Sequence, residues 1–140
     1  MSGKTMRISL SQTGTAAFQA RSSEGTELIL DGSPEIGGAG LGMRPMELLL
    51  TSLAGCSAMD VLHILRQQRQ PLENLDVQLE GTRKDAVPSP FERIHLVFTV
   101  RGDVADNKLQ RAVALSVEKY CSVAASLSPE IAVTWEARKG

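Results

Sequence analysis

Cysteine is scarce in this chain: two in 140 residues, Cys56 and Cys121, with no CxxC or CxxH grouping around either. That spacing lacks the short paired ligands of a zinc site, so no metal is expected. No P-loop, dinucleotide fingerprint, GxSxG or HExxH segment occurs, which sets aside the common nucleotide and hydrolase chemistries and leaves no cofactor motif. An excess of charge of one sign is also missing. Fifteen Lys and Arg stand against 16 Asp and Glu, a formal net charge of -1, and that offers no general attraction to nucleic acid or anionic lipid. The longest apolar run, Leu48 to Ala54, is far short of the ~20 residues that span a bilayer. The N-terminal MSGKTMRISL has no apolar core of a secretory signal. These absences lead to the expectation of a cytoplasmic protein without a nucleic-acid or membrane partner. In that compartment a structural disulfide is disfavoured, so the two thiols are either reactive or small core residues.

What is present is an ordinary globular composition, 42% hydrophobic and 22% charged, at a length that suits a single domain over residues 1–140. The first forty residues read as a β-meander: strands near Met6–Ser11, Ala16–Ala20 and Glu27–Leu30, with Ser-Glu-Gly and Asp31-Gly32 as hairpin signals. Five glycines then fall between Gly32 and Gly42, a loop that is mobile or must approach something closely. Pro45 opens a long central helix that runs to about Gln70, where Pro71 stops it. Its first half is apolar nearly all round, which requires burial in a core or against a partner. Leu75–Arg83 and Phe91–Val100 alternate as an antiparallel β-hairpin with one wet face. Asp103 and Asp106 signal the start of a second helix, whose stripe is Leu109, Val113, Ser116/Val117, Tyr120, Ala124 and Leu127. Ser128-Pro129 ends it, and Ile131–Trp135 makes a final strand. The fold class is α+β.

Cys56 sits deep inside the first helix, too far from the helix N-terminus for the macrodipole to lower its pKa. Asp60, one turn later on the same face, opposes ionisation of the thiol if charged, so a reactive Cys56 needs a cation from elsewhere. His63 is seven residues on, about 10 Å along the axis, and reads as a partly buried helix histidine; His95 falls on the polar face of its strand. Glu47, nine positions before Cys56, lies on the opposite side of the helix and serves an active site only across a subunit boundary; otherwise it is a favourable first-turn carboxylate. Cys121 has two readings. If the helix breaks near Tyr120 and restarts, Cys121 begins the new segment, where amides stabilise a thiolate; if it is continuous, Cys121 is a small residue beside the core stripe.

Taken together, GMRPMELLLTSLAGCSAMDVL (residues 42–62) and SVEKYCSVAASL (residues 116–127) resemble the two cysteine motifs of the OsmC/Ohr family, and the order of elements is similar across nearly the whole chain. The resemblance is to the OsmC-like branch. It implies an intertwined homodimer in which two long central helices are wrapped by sheets. It also implies a thiol-dependent peroxidase of oxidative-stress defence that reduces organic hydroperoxides at the expense of an external thiol reductant. Cys56 matches the peroxidatic cysteine and Cys121 the resolving one. Met46 stands where better-studied branches have glutamate, with Glu47 displaced by one; Ser122 stands where proline follows the second cysteine. The activating arginine of those branches has two candidates, Arg21 and Arg44, of which Arg44 is fixed beside Pro45. The alternative to an enzyme is a non-catalytic dimeric protein that binds a small apolar molecule at the same interface.

Overall fold

The computed structural model describes residues 3–140; Met1 and Ser2, the first two residues of the stretch read as lacking a secretory signal, lie outside the described residues. The chain divides into two compact units, one ending at Leu49 and the other Leu50–Gly140.

The first unit carries the expected meander. β1 (Ile8–Gln12), β2 (Phe18–Ser22) and β3 (Glu27–Leu30) pair antiparallel in that order. Both outer strands lie within a few residues of the predicted ones. The Ser23-Glu24-Gly25 signal does form the β2–β3 turn, with Gly25 at φ 88°. Asp31-Gly32 makes no hairpin. Its carboxylate is committed instead to the glycine-rich loop, accepting from the amides of Gly32 (2.8 Å), Ala39 (2.9 Å) and Leu41 (3.1 Å). Those amides hold the buried Asp31 carboxyl below its usual range, Ala39 contributing most and Leu41 next. Of the two readings of the loop, close approach is the one observed. A Cβ at Gly38 would stand 1.8 Å from the Gly32 carbonyl oxygen, and one at Gly42 would stand 2.1 Å from that of Ile29.

α1 (Pro45–Gln67) starts at Pro45 as expected and ends sooner than Pro71 requires. Arg69 takes a left-handed conformation, φ 54°. Its N–H donates to Arg66 O, and Gln70 N–H donates to Leu65 O, both at 3.0 Å, the Schellman pattern that satisfies the last carbonyls. The buried positions of α1 are Leu53, Ser57, Val61 and Leu65, one stripe at i, i+4 spacing rather than the whole circumference. By length and composition α1 is apolar enough to cross a bilayer, with an 18-residue window of mean hydropathy 1.7, of which 22% is buried.

In the second unit β4 (Leu72–Arg83) and β5 (Phe91–Gly102) form the expected antiparallel pair, and β6 (Ala132–Lys139) joins β5 in parallel, giving the order β4-β5-β6. A parallel neighbour requires a crossover, and the helical segment between β5 and β6 supplies it. Ile94, Leu96, Phe98 and Val100 are fully buried, the period-two pattern read from β5. With Leu53, Val61, Leu65, Leu109, Ala112 and Val113, also fully buried, they form the core. Each of the larger of these side chains, Ala112 aside, contributes roughly 1.5–3 kcal/mol by leaving water. The predicted second helix is not continuous. α2 (Asp106–Leu115) passes into a π-helical turn, Ser116–Tyr120; Cys121 is extended at φ -68°, ψ 110°; and α3 (Ser122–Ser126) follows. The cap position of α2 is Ala105, so Asp106 serves the first turn rather than the cap.

Candidate functional site

The break in the second helix decides the position of Cys121. A π turn accommodates an extra residue per turn, so Ser116 and Val117, adjacent in sequence, are both buried. The Ser116 hydroxyl donates to the Ser57 carbonyl of α1 at 2.9 Å, fixing the π turn against that helix. The chain then leaves helical geometry at Cys121, whose side chain points back to α1. Of the two sequence readings of Cys121, the broken helix is the one found.

Cys56 Sγ, Cys121 Sγ and an Asp60 carboxylate oxygen lie within 4.8 Å of one another. Both cysteines are free thiols. Cys56 and Asp60 are one turn apart on one face of α1 and half-buried; Cys121 is 2% exposed. The Ser57 hydroxyl donates to Cys121 Sγ at 3.4 Å, and the Ala124 N–H donates to the same sulfur at 3.4 Å. Burial pushes the Cys121 thiol above its ordinary range. The Ser57 and Ala124 hydrogen bonds work against that, and the neighbouring Cys56 adds to it. Asp60 Oδ2 is buried with no hydrogen-bond partner among the described residues. Chemically, the cluster offers two sulfurs within reach of a shared two-electron oxidation, one more open than the other. A disulfide between them would bring the sulfurs to ~2.05 Å.

The other residues singled out from sequence are placed elsewhere. Arg44 and Glu47 meet at the start of α1, where the Arg44 backbone N–H donates to Glu47 Oε1 at 2.9 Å, as in a capping box. Arg21, on β2, pairs with Glu27. His63, read as partly buried, is exposed. His95 lies on the polar face of β5, its ring bonded to Thr134 Oγ1 (2.7 Å) and Glu136 Oε1 (3.2 Å). A cavity of about 580 Å³ on that face is lined by residues such as Gln78, Glu80, His95 and Glu136; none belongs to the thiol cluster. Sequence reading missed Ser57 and Ser116 as supports of Cys121. A serine within an apolar helix carries no signal of a partner 64 residues away, although the adjacent pair Ser116/Val117 in the stripe was the trace of the π turn.

Comparison with known proteins bears on the family and the fold. The model of the family described as OsmC-like protein matches residues 37–136. Protein YhfA of Escherichia coli K12 is 38% identical over 118 residues, covering 84% of this chain and 85% of that protein. The crystal structure of a hypothetical protein from Aquifex aeolicus VF5 superposes with a TM-score of 0.83 at 33% identity, covering 99% of each chain. A Legionella pneumophila structure, described as an organic hydroperoxide resistance protein OsmC and predicted redox protein, shares the fold, with a TM-score of 0.73, 19% identity and full coverage of both chains.

Proposed function

Because the chain belongs to the OsmC-like protein family, we propose that it is a thiol-dependent peroxidase acting on organic hydroperoxides, with Cys56 as the attacking thiolate and Cys121 as the resolving thiol. The observation that carries this reading is the approach of the two cysteine sulfurs to within 4.8 Å across 65 residues of sequence. Cys56 is the more open of the two and meets the peroxide; Cys121 is buried and held by Ser57 and Ala124. The Cys56 thiolate attacks the terminal, hydrogen-bearing peroxide oxygen, the O–O bond breaks, and the departing alkoxide takes a proton from solvent to become the alcohol. Cys56 is then a sulfenic acid. Cys121 displaces its hydroxyl as water, forming the disulfide, and an external dithiol returns both cysteines to thiols.

In this reading both units make up one OsmC-like domain of a cytoplasmic homodimer. The apolar surface that α1 leaves uncovered within the chain supports a second copy, and Arg44, with Glu47 beside it, supplies the positive charge to Cys56 across the subunit boundary. The named activity of the Legionella relative, organic hydroperoxide resistance, supports the substrate class. The test is consumption of cumene or t-butyl hydroperoxide by purified protein with a dithiol present. Wild type is expected to turn over and Cys56→Ser to be inactive; equal turnover by Cys56→Ser would overturn the proposal.

A second reading, a non-catalytic dimeric protein that binds a small apolar molecule, draws on one observation: the groups that hydrogen-bond Cys121 are a hydroxyl and an amide, neither of them charged. It is distinguished by the pH dependence of Cys56 alkylation. A thiol titrating at or above ~8.5 fits a binding protein and one well below it fits a peroxidase.

A further inference from the structure

We propose that Cys56, Asp60 and Cys121 form a binding site for a thiophilic divalent cation, Zn2+ or its analogue Co2+, that exists only while both cysteines are reduced. The case against zinc from sequence rests on the lack of short paired ligands. The fold builds the set differently, from an i, i+4 pair on α1 and a third donor delivered by the break after the π turn. Three observations carry it. The three donor atoms already lie within 4.8 Å of one another. Asp60 Oδ2 is buried with no hydrogen-bond partner among the described residues, and a buried carboxylate oxygen in that condition calls for a proton, a donor or a cation. Cys121 is pre-positioned, its backbone fixed by the π turn that Ser116 anchors to Ser57 at 2.9 Å.

The donor chemistry selects the ion. Two thiolates with one carboxylate suit a borderline-soft cation with Zn–S near 2.3 Å and Zn–O near 2.0–2.2 Å, whereas magnesium and calcium take oxygen ligands. Tetrahedral coordination at those bond lengths sets two sulfurs and one oxygen roughly 3.5–3.8 Å apart, against the 4.8 Å within which the three donor atoms already lie. Both thiol protons leave to solvent on binding. Three protein ligands leave the fourth position to water or a small thiol. Oxidation to the Cys56–Cys121 disulfide removes both thiolate donors, so metal and disulfide exclude each other. The site does not depend on peroxidase activity.

The experiment is anaerobic titration of the full, reduced, chelator-treated chain with Co2+, followed by competition with Zn2+ against a chromophoric chelator. Expected are one equivalent of Co2+ per chain, thiolate-to-cobalt charge-transfer absorption, visible bands of tetrahedral intensity, and protection of both cysteines from iodoacetamide. Asp60→Asn and Cys121→Ser are each expected to weaken binding by at least the about 10- to 100-fold that loss of a mere outer-shell partner produces. Wild type oxidised with diamide, which takes two electrons and two protons from the thiol pair, is expected to bind nothing and keeps the test independent of whether the variants fold. Absence of stoichiometric binding by reduced wild type, or equal affinity in the diamide-oxidised protein, would overturn the proposal.

Discussion

At the scale of single residues, a carboxylate and a thiol, Asp31 and Cys121, stand in opposite electrostatic situations. Asp31 is buried yet ionised, because three backbone amides converge on it. Its folded pKa lies below the ordinary 3.8, so folding favours the charged form. The stability it contributes is complete above that ordinary value and is lost as pH falls through the lowered one. Asp31→Asn is therefore expected to lower the urea midpoint at pH 7 and to flatten the decline in stability below about pH 4, measured by chemical denaturation across pH; an unchanged acid profile would remove Asp31 from that role. Cys121 is the reverse case, a thiol kept protonated by burial. Neither environment was legible in the sequence. Asp31-Gly32 has the form of a hairpin turn, and only the converging amides of Ala39 and Leu41, eight and ten residues on, assign the aspartate to a loop. The Cys56–Asp60 half of the site was legible, because i, i+4 spacing on a helix fixes it without any tertiary information.

At the scale of elements, strongly periodic segments were readable and their ends were not. The alternation of β5 placed Ile94, Leu96, Phe98 and Val100 in the core, where they are fully buried. The end of α1 escaped notice since its left-handed residue is Arg69, not the glycine that usually marks such a cap. An L-residue there costs roughly 1–2 kcal/mol, partly offset by the entropy that glycine loses on folding. Arg69→Gly is accordingly expected to stabilise the protein by about 0.5–1 kcal/mol, read as a raised urea midpoint with unchanged slope; destabilisation would contradict the cap assignment. The broken second helix was equally hidden. No glycine or proline stands between Asp106 and Leu127, and the π turn preserves an apolar stripe on both sides, so periodicity alone cannot separate a break from a continuous helix. The parallel pairing of β6 with β5 is long-range and leaves no local trace.

For the whole molecule, α1 poses the main physical question. Its 18-residue window of mean hydropathy 1.7 is only 22% buried, and Met59, near the middle of the helix and one residue from Asp60, is 70% exposed. Apolar surface of this kind on a helix calls for a partner. A homodimer is the expected state by light scattering, and Met59→Asp is expected to shift it toward monomer because a charge cannot be buried there unpaired; a wild-type monomer at micromolar concentration would contradict the expectation. A second copy also bears on the proposed chemistry, in which Arg44 supplies the activating charge across the boundary. The central claim is that Cys56 and Cys121 act as one redox pair, and the most direct measurement is non-reducing peptide mass spectrometry of reduced protein treated with one equivalent of cumene hydroperoxide. The expected result is a Cys56–Cys121 disulfide formed within a chain, together with one equivalent of the alcohol. Two cysteines that remain fully alkylatable, with the hydroperoxide unconsumed, would contradict it.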